Sequence, residues 1–256
     1  MKHIELLRMI TETGRRVFST RDVLPFAKAL SIEASQLSSL LRRLVEQKFL
    51  RKLFRGTFAL SNTILSGSPL HEYEIAHHLS NPSVICCWSA LSFHRLTDQV
   101  LRTVYLMSPL GKTKKSTSQY HYQIENTQYV IIRVQPSLFF GYENRFLADI
   151  PFTVTDLERT LIDGLVRPQY CGGFFEVMEA FRQAEDQINA DKITEYARKF
   201  GLGISKRLGW VFETLEIFPN QSQLLKALPC SSHYPVDVSR PDKGIWLPEW
   251  NLRRNF

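Results

Sequence analysis

Apolar positions follow two rhythms along this chain, a helical one near each end and an alternating one between them. Ile4, Leu7, Met9 and Ile10 recur at helical spacing, and Gly14 follows as a stop signal. Ser19 then offers an N-cap for a second helix carrying Val23, Leu24, Phe26, Ala27 and Leu30. Pro25 is expected in its first turns, where a missing N–H costs little. A third helix is predicted from about Glu33 to Gln47, with Leu37, Leu40, Leu41, Leu44 and Val45 as its apolar stripe. Residues 49–53 and 57–60 read as two strands joined by Phe54-Arg55-Gly56, where Gly56 can take the positive φ of a tight turn. Three short helices and a hairpin predict a winged helix-turn-helix over residues 1–62.

Residues 63–70 read as a short small-residue linker, with Ser68-Pro69 starting a helix that runs to about Leu79. Val84-Ile85-Cys86-Cys87 is a buried-strand candidate, Ser89–Leu96 a short helix and Thr103–Met107 a further strand. Tyr120, Tyr122 and Ile124 alternate, as do Tyr129, Ile131 and Arg133 against Val130, Ile132 and Val134, so a hairpin is predicted around Glu125-Asn126-Thr127. Phe139-Phe140 and Ile150–Val154 are expected as edge strands.

From Thr155 the pattern turns helical. Thr155 and Glu158 are spaced as a capping box for a helix that ends before Pro168. Further helices are expected at 174–187, from Asp191 to Gly201, at 205–218 and at 222–228, and a final strand within GIWLPEWNLRRNF, with Arg253 and Arg254 at its exposed end. The fold class is therefore α+β: the winged helix, then a larger mixed domain at 71–256 with antiparallel strands over 71–154 and a helical half over 155–256.

Composition adds three constraints. An apolar share of 44% supports real cores. No apolar run approaches the roughly 18–20 residues that span a bilayer, and the first residues lack a leader pattern, so a cytoplasmic chain away from membranes is expected. Cys86, Cys87, Cys171 and Cys230 show no Cys-x-x-Cys spacing and are expected as reduced packing residues.

Charge changes the picture more. Residues 1–60 hold 12 Lys/Arg against 5 Asp/Glu, which is the whole net charge of +7. A surplus confined to one end suits a polyanion, because it neutralises phosphates and releases their counterions. The third helix carries Ser35, Gln36, Ser38, Ser39, Arg42 and Arg43 opposite its leucines. Short hydroxyls permit close approach to base edges, Gln pairs with adenine, and Arg reaches guanine or phosphate. Arg51, Lys52 and Arg55 on the hairpin and Arg21 on the second helix extend this surface. Double-stranded DNA is the expected partner; the competing reading is a solvated face that docks protein.

The rest of the chain carries only fragments of enzymatic motifs. His71, His77 and His78 lack the i, i+4 spacing that chelates zinc on a helix. Phosphate-loop, dinucleotide-binding and nucleophile-elbow glycine patterns do not occur. Glu46-Gln47-Lys48 has a nuclease-like spacing without an acidic partner, and Gly67-Ser68 is followed by no Asp-x-Asp pair that would hold two metals. The basic run Gly111–Lys115 reads as a solvated turn, with a second phosphate contact as the alternative. Asp156, Glu158 and Asp163 beside Arg159 read as a structural ion-pair network. No catalytic residue, metal or cofactor is expected.

Several segments taken together resemble the AbiEi family, antitoxins of type IV abortive-infection toxin–antitoxin systems in bacteria. Ser89-Ala90-Leu91-Ser92-Phe93-His94-Arg95-Leu96-Thr97-Asp98-Gln99 is similar to the family's Ser-Ala-Leu…His-Gly-Leu-Thr segment, with Arg95 where Gly is common. Asp156 through Asp163 resembles its Glu-Arg-Thr-Leu-Leu-Asp helix. Arg167-Pro168, Gly172-Gly173 and Lys206-Arg207-Leu208-Gly209 follow at similar spacing. The resemblance implies a winged helix that represses its own operon, with inverted repeats as operator, and a C-terminal domain that counters a nucleotidyltransferase-like toxin without a required stable complex. Glu158, Arg159 and Asp163 are the positions it suggests for antitoxin function. The alternatives are a winged-helix regulator whose C-terminal domain senses a ligand or oligomerises, and a DNA-targeted nuclease.

Overall fold

Helix α1 (Lys2–Glu12) turns Leu6 and Ile10 inward. Ile4, read from the sequence as part of that stripe, is 62% exposed, and Leu6 takes its place. The computed structural model describes residues 2–61, 70–109, 119–148 and 150–256. The expected linker, the Ser68-Pro69 helix start and the basic run at 111–115 therefore lie outside the described residues, Leu70 excepted.

A strand that the sequence reading missed, β1 (Val17–Ser19), follows α1. At its end the Ser19 hydroxyl accepts the Asp22 N–H while the Asp22 carboxylate accepts the Ser19 N–H, and this reciprocal cap starts α2 (Thr20–Ala29). Pro25 lies at the sixth helical position rather than in the first turn, so one internal helical bond is lost. The carbonyl so freed is that of Arg21, an exposed residue. Helix α3 (Ala34–Glu46) buries Leu37, Leu41 and Leu44, with Leu40 and Val45 packed at the margin.

The hairpin then forms from β2 (Leu50–Phe54) and β3 (Thr57–Leu60) around Arg55-Gly56, with Gly56 at φ +73°. Strand β1 pairs antiparallel with β3, Val17 opposite Ala59, to give a three-stranded sheet in the order β1-β3-β2. Phe18 and Phe58 stack at 6.2 Å on its core side. Helix α4 (Glu72–Leu79) is capped by His71, whose Nδ1 accepts the Tyr73 N–H at 3.2 Å.

The chain divides into two compact units, residues 1–81 with 122–128, and 82–121 with 129–256. The first unit thus runs past residue 62, takes in α4 and includes a hairpin tip from later in the chain.

In the second unit β4 (Val84–Ile85) stops earlier than expected, because Cys87 already begins α5 (Cys87–Phe93). Strands β5 (Thr103–Pro109), β6 (Gln119–Ile124) and β7 (Thr127–Val134) follow as expected. Phe139 and Phe140 do not form the predicted strand; the strand lies just beyond them as β8 (Tyr142–Leu147), followed by β9 (Ile150–Thr155). The six strands form one sheet in the order β6-β7-β5-β4-β9-β8. It is mixed, since β4 runs antiparallel to β5 but parallel to β9.

Thr155 is not a helix cap. It ends β9 with its hydroxyl 2.7 Å from that of Thr160, and Asp156 caps α6 (Leu157–Val166) by accepting the Arg159 N–H at 2.8 Å. Helix α7 (Phe174–Gln183) gives way to a single 3-10 turn at 185–187. Helices α8 (Ala190–Phe200), α9 (Leu202–Thr214) and α10 (Pro219–Lys226) complete the helical layer. Val130, Ile132, Leu161, Ile162, Phe181, Leu208 and Phe212 belong to the one apolar core between sheet and helices.

A small sheet closes the chain: β10 (Tyr234–Pro235) parallel to β12 (Leu252–Arg254), with β11 (Ile245–Leu247) antiparallel on its other side. Trp250 donates to Glu213 Oε2 at 2.6 Å, and the Asn255 amide exchanges two hydrogen bonds with the Asp237 backbone. Arg253 and Arg254 end β12, with Arg254 exposed and Arg253 partly buried and paired with Asp242.

Candidate nucleic-acid interface

The outward face of α3 follows from its inward one. Leu37, Leu41 and Leu44 fix the helix's rotation by burial, so residues half a turn away must face solvent. Ser35, Gln36, Ser38, Ser39, Arg42 and Arg43 are all exposed. Ser35, Ser39 and Arg42 stand in one row, Gln36 and Arg43 in the next, at the spacings that align on a helix. None of these six side chains is committed to a hydrogen bond or ion pair among the described residues. Thirteen residues of helix span roughly 20 Å, and a B-DNA major groove is about 12 Å wide, so the first two turns fit inside it.

The wing is tied to this helix pair by a link between residues 36 apart. The Thr20 N–H donates to the Gly56 carbonyl at 2.8 Å, and the Thr20 hydroxyl adds a second bond at 3.2 Å. Exposed Arg21 and Arg55 flank that link on neighbouring residues. No local pattern signals this meeting, because it depends on β1 closing against β3. Lys52 is exposed on β2. Arg51 differs from the other nine candidates: its Nη1 is paired with the Glu125 carboxylate within the first unit. That contact joins residues 74 apart, and local pattern cannot disclose it.

Burial lowers the proton affinity of His77 and His78 on α4. The reciprocal Ser19–Asp22 cap fixes the start of α2. Burial opposes ionisation of Asp22, yet the bonds from Ser19 outweigh it and hold the carboxyl below its usual range.

In the second unit Glu158, Arg159 and Asp163 are all buried. Glu158 accepts the Asn189 N–H at 2.9 Å and pairs with Lys192 at 2.8 Å. Arg159 donates to the Leu138 and Phe140 carbonyls at 2.8 and 2.7 Å, and its guanidinium carbon lies 4.7 Å from the Phe140 ring centroid and 4.9 Å from that of Phe200. Burial, outweighing the neighbouring guanidinium, raises the Asp163 carboxyl to about 6. These side chains face inward and hold the fold; they offer no surface to a partner. Cys86, Cys87 and Cys171 are buried free thiols, and burial pushes Cys86 and Cys171 well above their ordinary range. Among the described residues no group of His, Cys, Asp or Glu has a metal-holding arrangement, and no helix is long and apolar enough to cross a membrane.

No protein-family model matches the chain, and no curated protein does. Its fold is similar to that in the crystal structure of the RV2827C protein from Mycobacterium tuberculosis, with a TM-score of 0.67 over 98% of this chain and 90% of that one. The two are 11% identical, so the likeness is one of fold.

Proposed function

We propose that this chain is a cytoplasmic DNA-binding regulator of the antitoxin type, which represses its own operon through the winged helix and counters a nucleotidyltransferase-like toxin. One observation carries the DNA half: Ser35, Gln36, Ser38, Ser39, Arg42 and Arg43 form an exposed, uncommitted face on α3, continued by Arg21, Lys52 and Arg55. Hydroxyls and an amide at the helix N-terminus suit base edges, and the flanking cations suit phosphates. The toxin half rests on the AbiEi-like segments, which fall on α5, α6 and α9. Buried Glu158, Arg159 and Asp163 support the scaffold of that domain rather than its contacts.

Binding of the full chain to duplex DNA from upstream of its gene, followed by fluorescence anisotropy at rising salt, tests the first half. Salt-insensitive or absent binding overturns it. Co-expression with the neighbouring toxin gene tests the second; a folded chain that gives no rescue removes the antitoxin assignment and leaves the DNA reading intact.

A further inference from the structure

Among the described residues, strand β8 leaves one side of its backbone unpaired. It ends the six-stranded sheet and is bonded to β9 alone, from Tyr142 opposite Thr155 to Leu147 opposite Ile150. One step earlier in the same register, the Asp156 N–H donates to the Gly141 carbonyl at 3.1 Å. Hydrogen-bonded pairs alternate along an antiparallel ladder, so residues 143, 145 and 147 spend their N–H and C=O groups on β9. Those of Tyr142, Asn144 and Phe146 point away from it. Pro151 stands opposite Phe146 and has no N–H to give, which agrees with this parity. The strand, YENRFL, contains no Pro, Gly or Lys to blunt the edge, and Phe146 is 70% exposed.

We propose that β8 pairs with β8 of a second copy of this chain, antiparallel about a twofold axis at Asn144. Backbone parity selects that register. It sets Tyr142 against the partner's Phe146, Asn144 against the partner's Asn144 and Phe146 against the partner's Tyr142, so all three outward-facing residues bond. Between them Glu143 meets the partner's Arg145, and Arg145 meets the partner's Glu143. Non-hydrogen-bonded pairs bring side chains closest, which suits opposite charges. The two aromatic pairs add stacking. A slide to the next permitted register loses one bonded pair and sets either Arg145 against the partner's Arg145 or Glu143 against the partner's Glu143. Within one chain Glu143 and Arg145 already pair at 2.7 Å, so the dimer joins two such pairs into a ring of four charges. The contact is isologous, closes on itself and makes one continuous sheet of twelve strands from two of six. It stands apart from the DNA reading, and either can fail alone.

Sedimentation velocity of the full chain over roughly 1–300 µM, the range of a small transient interface, tests it. A reversible monomer–dimer equilibrium is expected. Glu143→Arg and Arg145→Glu each place like charges at both pairs and weaken the dimer about tenfold or more. An equal mixture of the two variants restores wild-type affinity, because every reversed charge then meets its opposite. Asn144→Pro removes an outward N–H that β9 does not use, and it abolishes the dimer while far-UV circular dichroism stays unchanged. A wild-type chain that remains monomeric across the range overturns the proposal without recourse to any variant. So does a dimer that the single reversals leave intact, or a mixture no tighter than its components.

Discussion

Arg159 donates from Nε to Asp163 Oδ1 across 3.0 Å, one helical turn apart and sealed from solvent on both sides. The other guanidinium nitrogens bond two carbonyls and the Met107 sulfur, while Asp163 Oδ2 has no partner. The pair therefore pins the segment before β8 to helix α6. Its worth lies in staying complete, because removing one partner strands the other charge in the core. Arg159→Met is expected to cost about 3–5 kcal/mol in urea unfolding. Arg159→Met with Asp163→Leu should recover part of that loss. A cost under 1 kcal/mol for the single change would show that water reaches the site.

The same pair gives a pH signature. Asp163 titrates at about 6 in the fold against an ordinary 3.8, so the folded chain holds this proton more tightly than the unfolded one. Its contribution to stability is greatest below pH 4 and declines as pH climbs towards 6, then stays flat. The difference in unfolding free energy between wild type and Asp163→Asn should trace that fall, on the order of 1–3 kcal/mol. A difference rising over that window would mean that the carboxyl is held low by Arg159 instead.

Salt should grade the DNA interaction. Neutralising about five phosphates implies a log–log slope near −4.5, a loss of roughly 500-fold between 50 and 200 mM salt. Arg42→Ala and Arg43→Ala should each weaken binding and flatten that slope by about one. Arg51→Ala should do less, since Arg51 is already paired with Glu125. Glu125→Ala, which frees it, should strengthen binding and steepen the slope.

Base preference should depend on other residues. Gln36→Ala or Ser39→Ala is expected to change discrimination at single positions by about 1–3 kcal/mol with the salt slope unchanged. Selection from a randomised duplex library, compared with wild type, reads this directly. Identical consensus sequences would place these side chains outside the groove.

Close helix contact in the second unit has its own test. A Cβ on Gly164 of α6 would lie 2.7 and 2.8 Å from the two methyls of Val177 on α7, a stiff and fully buried side chain. Gly164→Ala should destabilise by about 1–3 kcal/mol, and adding Val177→Ala should relieve part of it. Thermal unfolding of the two variants checks both.

Local patterns carried most of the winged helix because its signals are local: the Ser19 cap, the leucine stripe of α3 and the Gly56 turn. The exposed face of α3 was legible for the same reason. Strand β1 was not, since three residues contain too little alternation, and only pairing with β3 makes them a strand. The Thr155 cap was misplaced because Asp156 can cap the same helix one residue later, while β9 keeps Thr155. Strand β8 was hidden by its own composition, as YENRFL shows no buried face to alternate with. Asp156, Glu158 and Asp163 beside Arg159 read from the sequence as a structural ion-pair network; the rings of Phe140 and Phe200 that meet the Arg159 guanidinium come from segments that local pattern does not connect.

The closing sheet ties the helical layer to residues distant in sequence. Trp250 and Asn255 anchor α9 and the Asp237 turn from the far end of the second unit. Trp250 is buried in the same core as Leu208, Phe212 and Leu225, so the helical layer is complete only when segments 37 residues apart have met.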